Sequence, residues 1–242
     1  MAERARADGA VRLSLVIPAF NEHRRLPGTV DHIRRYLDGR GERYELVLVD
    51  DGSTDQTLRY MRELACEWPA VRVVTLTPNR GKGRAVTEGV RVARGDLVLF
   101  SDADLSTPIE ELPKLEQAVE AGADVAFGSR GAPGAREVNQ AFYRQVMGRT
   151  FNVIVQLLLL PGFHDTQCGF KMFRNTAARE LFASIRTEGF AFDVEVLWRA
   201  RQAGYRVVEV PVRWLNSDST RVSPLRHSMQ MLRDLLLLRL AG

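Results

Sequence analysis

Cysteine is scarce in this chain: Cys66 and Cys168 are the only two in 242 residues. Two cysteines cannot build a thiolate zinc site, and they offer no disulfide framework. Free thiols in a reducing cytoplasm are therefore expected. Long apolar runs are lacking too. The four-leucine runs at 157–160 and 235–238 fall far short of the about 18 apolar residues needed to span a bilayer. The first twelve residues are charged and alanine-rich, without the apolar stretch of a signal peptide. The chain is thus not expected to be an integral membrane protein by itself. An excess of either charge is lacking: 34 basic against 30 acidic residues leave a net +4, too small to argue for nucleic acid, yet suited to an anionic substrate or membrane surface. Three familiar motifs are also missing. A phosphate-binding P-loop would need glycine where Leu76 stands and a hydroxyl residue where Gly83 stands. No Gly-x-Gly-x-x-Gly follows the first apolar run, and no nucleophile elbow supports a serine hydrolase.

What remains is an ordinary globular composition, 45% hydrophobic and 26% charged, in a chain long enough to bury a full core. Apolar runs at 13–18, 46–49, 71–76, 97–101 and 125–128 read as strands. Helical patterns at 26–37, 57–66, 84–93 and 112–121 alternate with them, which predicts an α/β fold with a doubly wound, mostly parallel sheet. The second half changes character. It reads as a long helix over 141–160, a strand at 170–173, a helix at 194–203, a strand at 207–212 and a last helix at 224–240. The expected organisation is a tail over 1–12, a domain over 13–222 and a C-terminal amphipathic helix over 223–242.

Ligands of open parallel sheets bind beyond the carboxyl ends of the strands. Four charged or glycine-rich clusters fall there. Pro18, Ala19, Asn21 and Glu22 follow the first strand, and Asp50, Asp51, Ser53 and Asp55 the second. Asn79, Arg80, Gly81 and Lys82 follow the third, and Asp102 and Asp104 the fourth. Ser53 and Asp55 also suit a helix N-cap. Residues two apart in extended chain point the same way, so Asp102 and Asp104 place two carboxylates together. These repel unless a cation lies between them, which predicts a hard divalent ion, Mg²⁺ or Mn²⁺. Gly128-Ser129-Arg130 ends a fifth strand. Arg144, on the next helix, reads by itself as a solvated charge. Cys168 reads better as a packing residue than as a nucleophile.

Val16-Ile17-Pro18-Ala19-Phe20-Asn21-Glu22, Val49-Asp50-Asp51-Gly52-Ser53-Thr54-Asp55 and Ser101-Asp102-Ala103-Asp104 resemble family 2 inverting glycosyltransferases, which have the GT-A fold, a Rossmann-like nucleotide half plus an acceptor half. Asp165-Thr166-Gln167-Cys168-Gly169-Phe170-Lys171, Gly189-Phe190-Ala191-Phe192-Asp193-Val194-Glu195 and Glu209-Val210-Pro211-Val212 look like the dolichyl-phosphate β-glucosyltransferase branch. Ser106 stands where related mannosyltransferases carry glutamine, and Arg221 supplies the charge near the family's Gly-Ser-Lys position. The resemblance implies a UDP-sugar donor, UDP-glucose before GDP-mannose, and a polyprenyl phosphate acceptor. Pro18, Ala19, Glu22, Asp50, Asp51 and Asp102 would line the nucleotide pocket, with Lys82 fixing the nucleotide. Asp104, with Asp102, would hold the metal, and Arg130 and Arg144 would meet the acceptor phosphate. A phosphate acceptor is already an anion at neutral pH and needs no base; a hydroxyl acceptor would call on Asp193 or Glu195. A peripheral enzyme at the inner, cytoplasmic face of the membrane follows. The arginine-bearing last helix would lie in the bilayer interface, or else pack in the core or in a homodimer. A non-catalytic sugar-nucleotide sensor is the rival outside enzymes, and the intact aspartate pair speaks against it.

Overall fold

The computed structural model describes residues 10–138, 142–216 and 224–241. Nine strands and eight α-helices lie along these residues, alternating strictly only as far as β5. The first half runs β1 (Leu13–Ala19), α1 (Leu26–Asp38), β2 (Tyr44–Asp51), α2 (Thr57–Glu67), β3 (Val71–Leu76), α3 (Lys82–Val92), β4 (Leu97–Ser101), α4 (Leu112–Glu120) and β5 (Val125–Ser129). The second runs β6 (Arg136–Val138), α5 (Phe142–Leu158), β7 (Phe170–Arg174), α6 (Asn175–Ser184), α7 (Phe192–Gln202), β8 (Val207–Pro211), β9 (Arg213–Leu215) and α8 (Pro224–Ala241). The side chains of 142–147, the Arg144 position among them, and residues 217–223, Arg221 among them, lie outside the described residues. So do residues 1–9 of the expected tail, whereas Val11 and Arg12 hydrogen-bond to the backbone of Asp96, Leu97 and Arg43.

Seven strands form one sheet in the order β3-β2-β1-β4-β7-β5-β8. Every pairing is parallel except those of β7, which runs antiparallel to both β4 and β5. β6 and β9 pair in a separate two-stranded ribbon. The strands of the main sheet are apolar on both faces because helices cover both. Leu26, Ile33, Met61, Leu112 and Leu115 of α1, α2 and α4 pack on one face. Val86, Leu181, Phe192, Leu197 and Leu235 of α3, α6, α7 and α8 pack on the other.

The reversal of β7 positions the site. Its start lies beside the end of β4, with Ser101 opposite Phe170. The 165–169 segment therefore arrives at the same edge as the carboxyl ends of β1, β2, β4, β5 and β8. Helix α6 and the short β6 and β9 have no counterpart in the sequence reading. α6 begins at once after β7, with Arg174 extended and no turn residue between them, so no punctuation separates the two.

Candidate active site

The loops after β1 and β2 are tied together before any ligand arrives. Asn21, held at a left-handed φ of 56°, accepts from the backbone N–H of Thr54 and Asp55 through Oδ1. Its own N–H donates to Ser53 Oγ. Asp55 accepts from the Thr57 N–H at the start of α2, so Ser53 and Asp55 brace the loops. Asp51 has a similar task. Its carboxylate accepts from the N–H of Arg80 and Gly81 and from Asn79 Nδ2, each within 2.9 Å. It thus shapes the turn that presents Lys82. Burial raises the Asp51 pKa, against the pull of those N–H donors.

Asp50 differs from its neighbour. It is buried, and Oδ1 has no hydrogen-bond partner, while Oδ2 accepts from the Ser53 N–H. A buried polar atom without a partner costs about 1–3 kcal/mol, so this oxygen suits a ligand N–H. Pro18 and Ala19 form the end of β1 beside it, paired with Val49 and Asp50.

Charged groups alternate along the centre of the edge. Lys171, wholly buried on β7, donates to Asp193 Oδ1 at 2.5 Å and to the Cys168 carbonyl. Lys82 Nζ lies 3.7 Å from Asp193 Oδ2 and 2.6 Å from Asp102 Oδ1. Asp104 follows, with Arg25 3.8 Å away, itself gripped by both Glu22 oxygens at 2.7 and 2.8 Å. Burial opposes the Lys82 charge, but Asp102 and Asp193 outweigh it and hold the ammonium above the ordinary lysine range. Burial and the neighbouring Asp102 together raise the Asp104 pKa. Burial likewise raises Asp193, against the two lysines.

The donor set fits a hard divalent cation. Asp102 and Asp104 lie close enough for the charge of one to raise the pKa of the other, although they follow β4 in a turn rather than in extended chain, and no group of three or more metal-ligating residues exists among the described residues. That is the arrangement of a Mg²⁺ or Mn²⁺ site completed by substrate phosphates and water rather than by a protein cage. Gly169 fixes the nearer ligand. Its carbonyl accepts from the Asp102 N–H, and the Asp102 carboxylate lies directly over its Cα: an added Cβ would stand 2.0 Å from Oδ2.

Arg130 reaches this edge from the end of β5, but not freely. Nε and Nη2 donate to the two oxygens of Asp165 at 2.6 and 2.9 Å, and the guanidinium lies 5.5 Å from the Trp214 ring centroid. Only its remaining N–H edge is left for a ligand. Burial alone would raise the Asp165 pKa; Arg130 reverses this and holds it below the carboxylate range. Cys168, beneath this pair, is pushed up to about 11 by burial and by Asp165, so it stays a packed thiol. Glu195 is not brought into the cluster. Its carboxylate accepts from the N–H of Arg186 and Thr187 and pairs with Arg199 at 2.7 Å, holding the loop before α7.

Sequence reasoning singled out Asp165 and Lys171 only as parts of resemblance motifs, and Arg25 not at all. The Glu22/Arg25 spacing of three was the available signal for the last.

A mostly parallel sheet carrying an Asp-x-Asp pair and polar loops at its carboxyl edge is the arrangement of a GT-A glycosyltransferase. The chain belongs to glycosyl transferase family 2, whose model matches residues 14–182. It is 36% identical to the human dolichyl-phosphate beta-glucosyltransferase over 95% of this chain and 75% of that one. The enzyme of the same name from Saccharomyces cerevisiae is 33% identical, over 97% of this chain and 76% of that one. Among solved structures, mannosyl-3-phosphoglycerate synthase from Rubrobacter xylanophilus superposes with a TM-score of 0.71 at 22% identity, covering 96% of this chain and 74% of that one. Glucosyl-3-phosphoglycerate synthase from Mycobacterium tuberculosis, bound to Mn²⁺, UDP and its product, gives 0.68 at 21%, covering 96% and 80%. These two likenesses establish the fold.

Proposed function

We propose that the chain transfers glucose from UDP-glucose to a polyprenyl phosphate of the dolichyl or undecaprenyl kind, with inversion. The names of its relatives support the sugar and the acceptor. The observation that carries the reading is the state of the two candidate bases. Asp193 is hydrogen-bonded by buried Lys171 with Lys82 3.7 Å from its other oxygen, and Glu195 is held by backbone N–H groups and Arg199. Neither is free to take a proton from a hydroxyl, and a phosphate acceptor asks for none.

In this reading Pro18, Ala19 and Glu22 flank the nucleoside, and the unpartnered oxygen of Asp50 takes a base N–H. Asp51 holds the Lys82 turn against the diphosphate. Asp102 and Asp104 would hold Mg²⁺ or Mn²⁺, which when bound offsets charge on the departing diphosphate. Arg130 and Arg144 hold the acceptor phosphate in line with the anomeric carbon, and the planar guanidinium suits phosphate oxygens.

No helix among the described residues is long and apolar enough to cross a membrane. Val153 and Leu157 of α5 and Met229, Leu236, Leu237 and Leu240 of α8 are nevertheless exposed, and the two helices pack on one another. With Arg233 and Arg239 exposed on α8, this face supports peripheral attachment at the cytoplasmic side; a homodimer would cover the same face. The test is transfer by the purified protein with Mg²⁺, comparing UDP-glucose with GDP-mannose. Acceptors are a short polyprenyl phosphate, the matching free polyprenol and a soluble phosphate ester. Equal rates with phosphate and free polyprenol would sink the base-free mechanism, and preference for the soluble ester would sink the lipid acceptor.

A further inference from the structure

Lys82 occupies a place that a metal site ought to leave open. Its ammonium sits 2.6 Å from Asp102 Oδ1, against 3.7 Å from Asp193 Oδ2. The reason lies one residue deeper. Lys171 already neutralises Asp193 at 2.5 Å, whereas Asp102 makes no ion pair among the described residues except with Lys82. Asp104 is not blocked in the same way, since Arg25 stands off at 3.8 Å and gives its shorter bonds to Glu22.

The backbone beneath Lys82 is fixed. A Cβ at Gly81 would stand 2.6 Å from the Glu188 carbonyl oxygen, and one at Gly83 2.4 Å from that of Thr187. Any adjustment must come from the side chain, which has a route. Nζ lies 5.6 Å from the Phe100 centroid and 5.8 Å from that of Phe192. Both rings lie within the about 6 Å at which an aromatic ring attracts a cation.

We propose that Lys82 is a resident counter-cation of Asp102, drawn off by the donor's diphosphate, so that a divalent ion is held firmly only together with the nucleotide. The inference rests on Asp102 and Asp104 being the metal pair. An ammonium within hydrogen-bond reach of Oδ1 and a divalent cation on the same carboxylate repel at close range. Entry of the diphosphate supplies the anion that relieves this, with Asp193 as the second support for the moving ammonium. The coupling is reciprocal: the factor by which UDP strengthens metal binding equals the factor by which the metal strengthens UDP binding.

The experiment measures Mn²⁺ affinity of the full chain by electron paramagnetic resonance and calorimetry, with and without UDP. Lys82→Met and Lys82→Gln are compared with the native protein, and melting curves confirm that each is folded. Without UDP, both variants should bind Mn²⁺ about tenfold more tightly than the native chain, and UDP should strengthen that binding by a correspondingly smaller factor. Unchanged or weaker Mn²⁺ affinity in both variants, or an unchanged UDP factor, overturns the role of Lys82 and leaves the metal pair standing. A native chain that binds Mn²⁺ neither alone nor with UDP overturns the metal pair and this inference with it.

Discussion

The halves of the sheet edge are prepared for their ligands in opposite ways. At β1 to β4 the polar groups are already organised by one another: Asn21 ties two loops, Asp51 folds the Lys82 turn, and Gly169 backs Asp102. Few large apolar side chains are exposed there, Phe20 being the exception. At β5 to β9 Arg130 pairs with Asp165 and Glu209 with His164, and the helices α5 and α8 of this half leave apolar side chains exposed. In the proposed reading the donor side is a polar network, and the acceptor side joins ion pairs to exposed apolar side chains on α5 and α8. A rigid cradle suits a small, highly charged ligand. An uncovered apolar face suits a ligand whose bulk is hydrocarbon.

The largest effect should come from the donor side. Asp104→Ala removes one of the two proposed metal ligands, and a metal supplies several kcal/mol of transition-state stabilisation. Transfer should fall roughly a thousandfold or more, with Mn²⁺-dependent UDP binding weakened in calorimetry. Full activity in EDTA would break the comparison at its root.

Gly169→Ala tests the rigidity itself. The new Cβ would meet the far end of the Asp102 side chain rather than backbone, so the fold should survive while the carboxylate moves. A displacement of about 1 Å at a reacting centre costs roughly a hundredfold in rate. Near-native turnover would mean that Asp102 is not held to a fixed place.

On the acceptor side the expected effect is on stability as much as on rate. Asp165→Asn leaves Arg130 largely buried without its counter-charge. Removing one partner of a buried pair costs about 3–5 kcal/mol, reduced to about 2–3 here because the guanidinium is partly exposed. The pH dependence has a definite sign. Asp165 has a folded pKa below its unfolded value, so its contribution is full above about pH 3.9 and is lost as pH falls through the folded pKa. The variant should therefore lose less stability on acidification than the native chain, as read by urea melts from about pH 5 down to about pH 1, the span over which a carboxylate with a depressed folded pKa loses its contribution. Parallel acid limbs would show that the pair contributes nothing.

How much of this could be read from the sequence follows the same division. Donor-side residues lie directly after apolar strands, so position along the chain gives position at the edge; Pro18, Asp50, Lys82, Asp102 and Asp104 all fall where strand ends place them. Acceptor-side relations are long-range. A lysine inside a short strand reads as a surface charge, and nothing local says that Lys171 pairs with Asp193, twenty-two residues on. Two carboxylates in the first turn of α7 look alike in sequence. One enters the site and the other holds a loop, and only the direction of the turn separates Asp193 from Glu195.

The smallest expected effect on the isolated protein sharpens the comparison most. Leu236 and Leu240 of α8 are exposed, whereas Leu235 and Leu238 on the same helix are buried in the core. Burying a large apolar side chain is worth about 1.5–3 kcal/mol, so exposed leucines gain only when a surface covers them. Leu236→Ser with Leu240→Ser should shift stability by less than about 0.5 kcal/mol, as surface changes do. Turnover of a water-soluble, short-chain acceptor should remain native. Recruitment to anionic vesicles in a flotation assay should drop about tenfold or more, since the two side chains forgo a few kcal/mol of burial. Sedimentation without vesicles gives the alternative its chance: a native dimer that the double variant dissolves would assign the face to a second copy of the chain. Unchanged flotation together with unchanged sedimentation would leave α8 without a role at the surface, and the division into a polar donor side and an apolar acceptor side would lose its functional meaning.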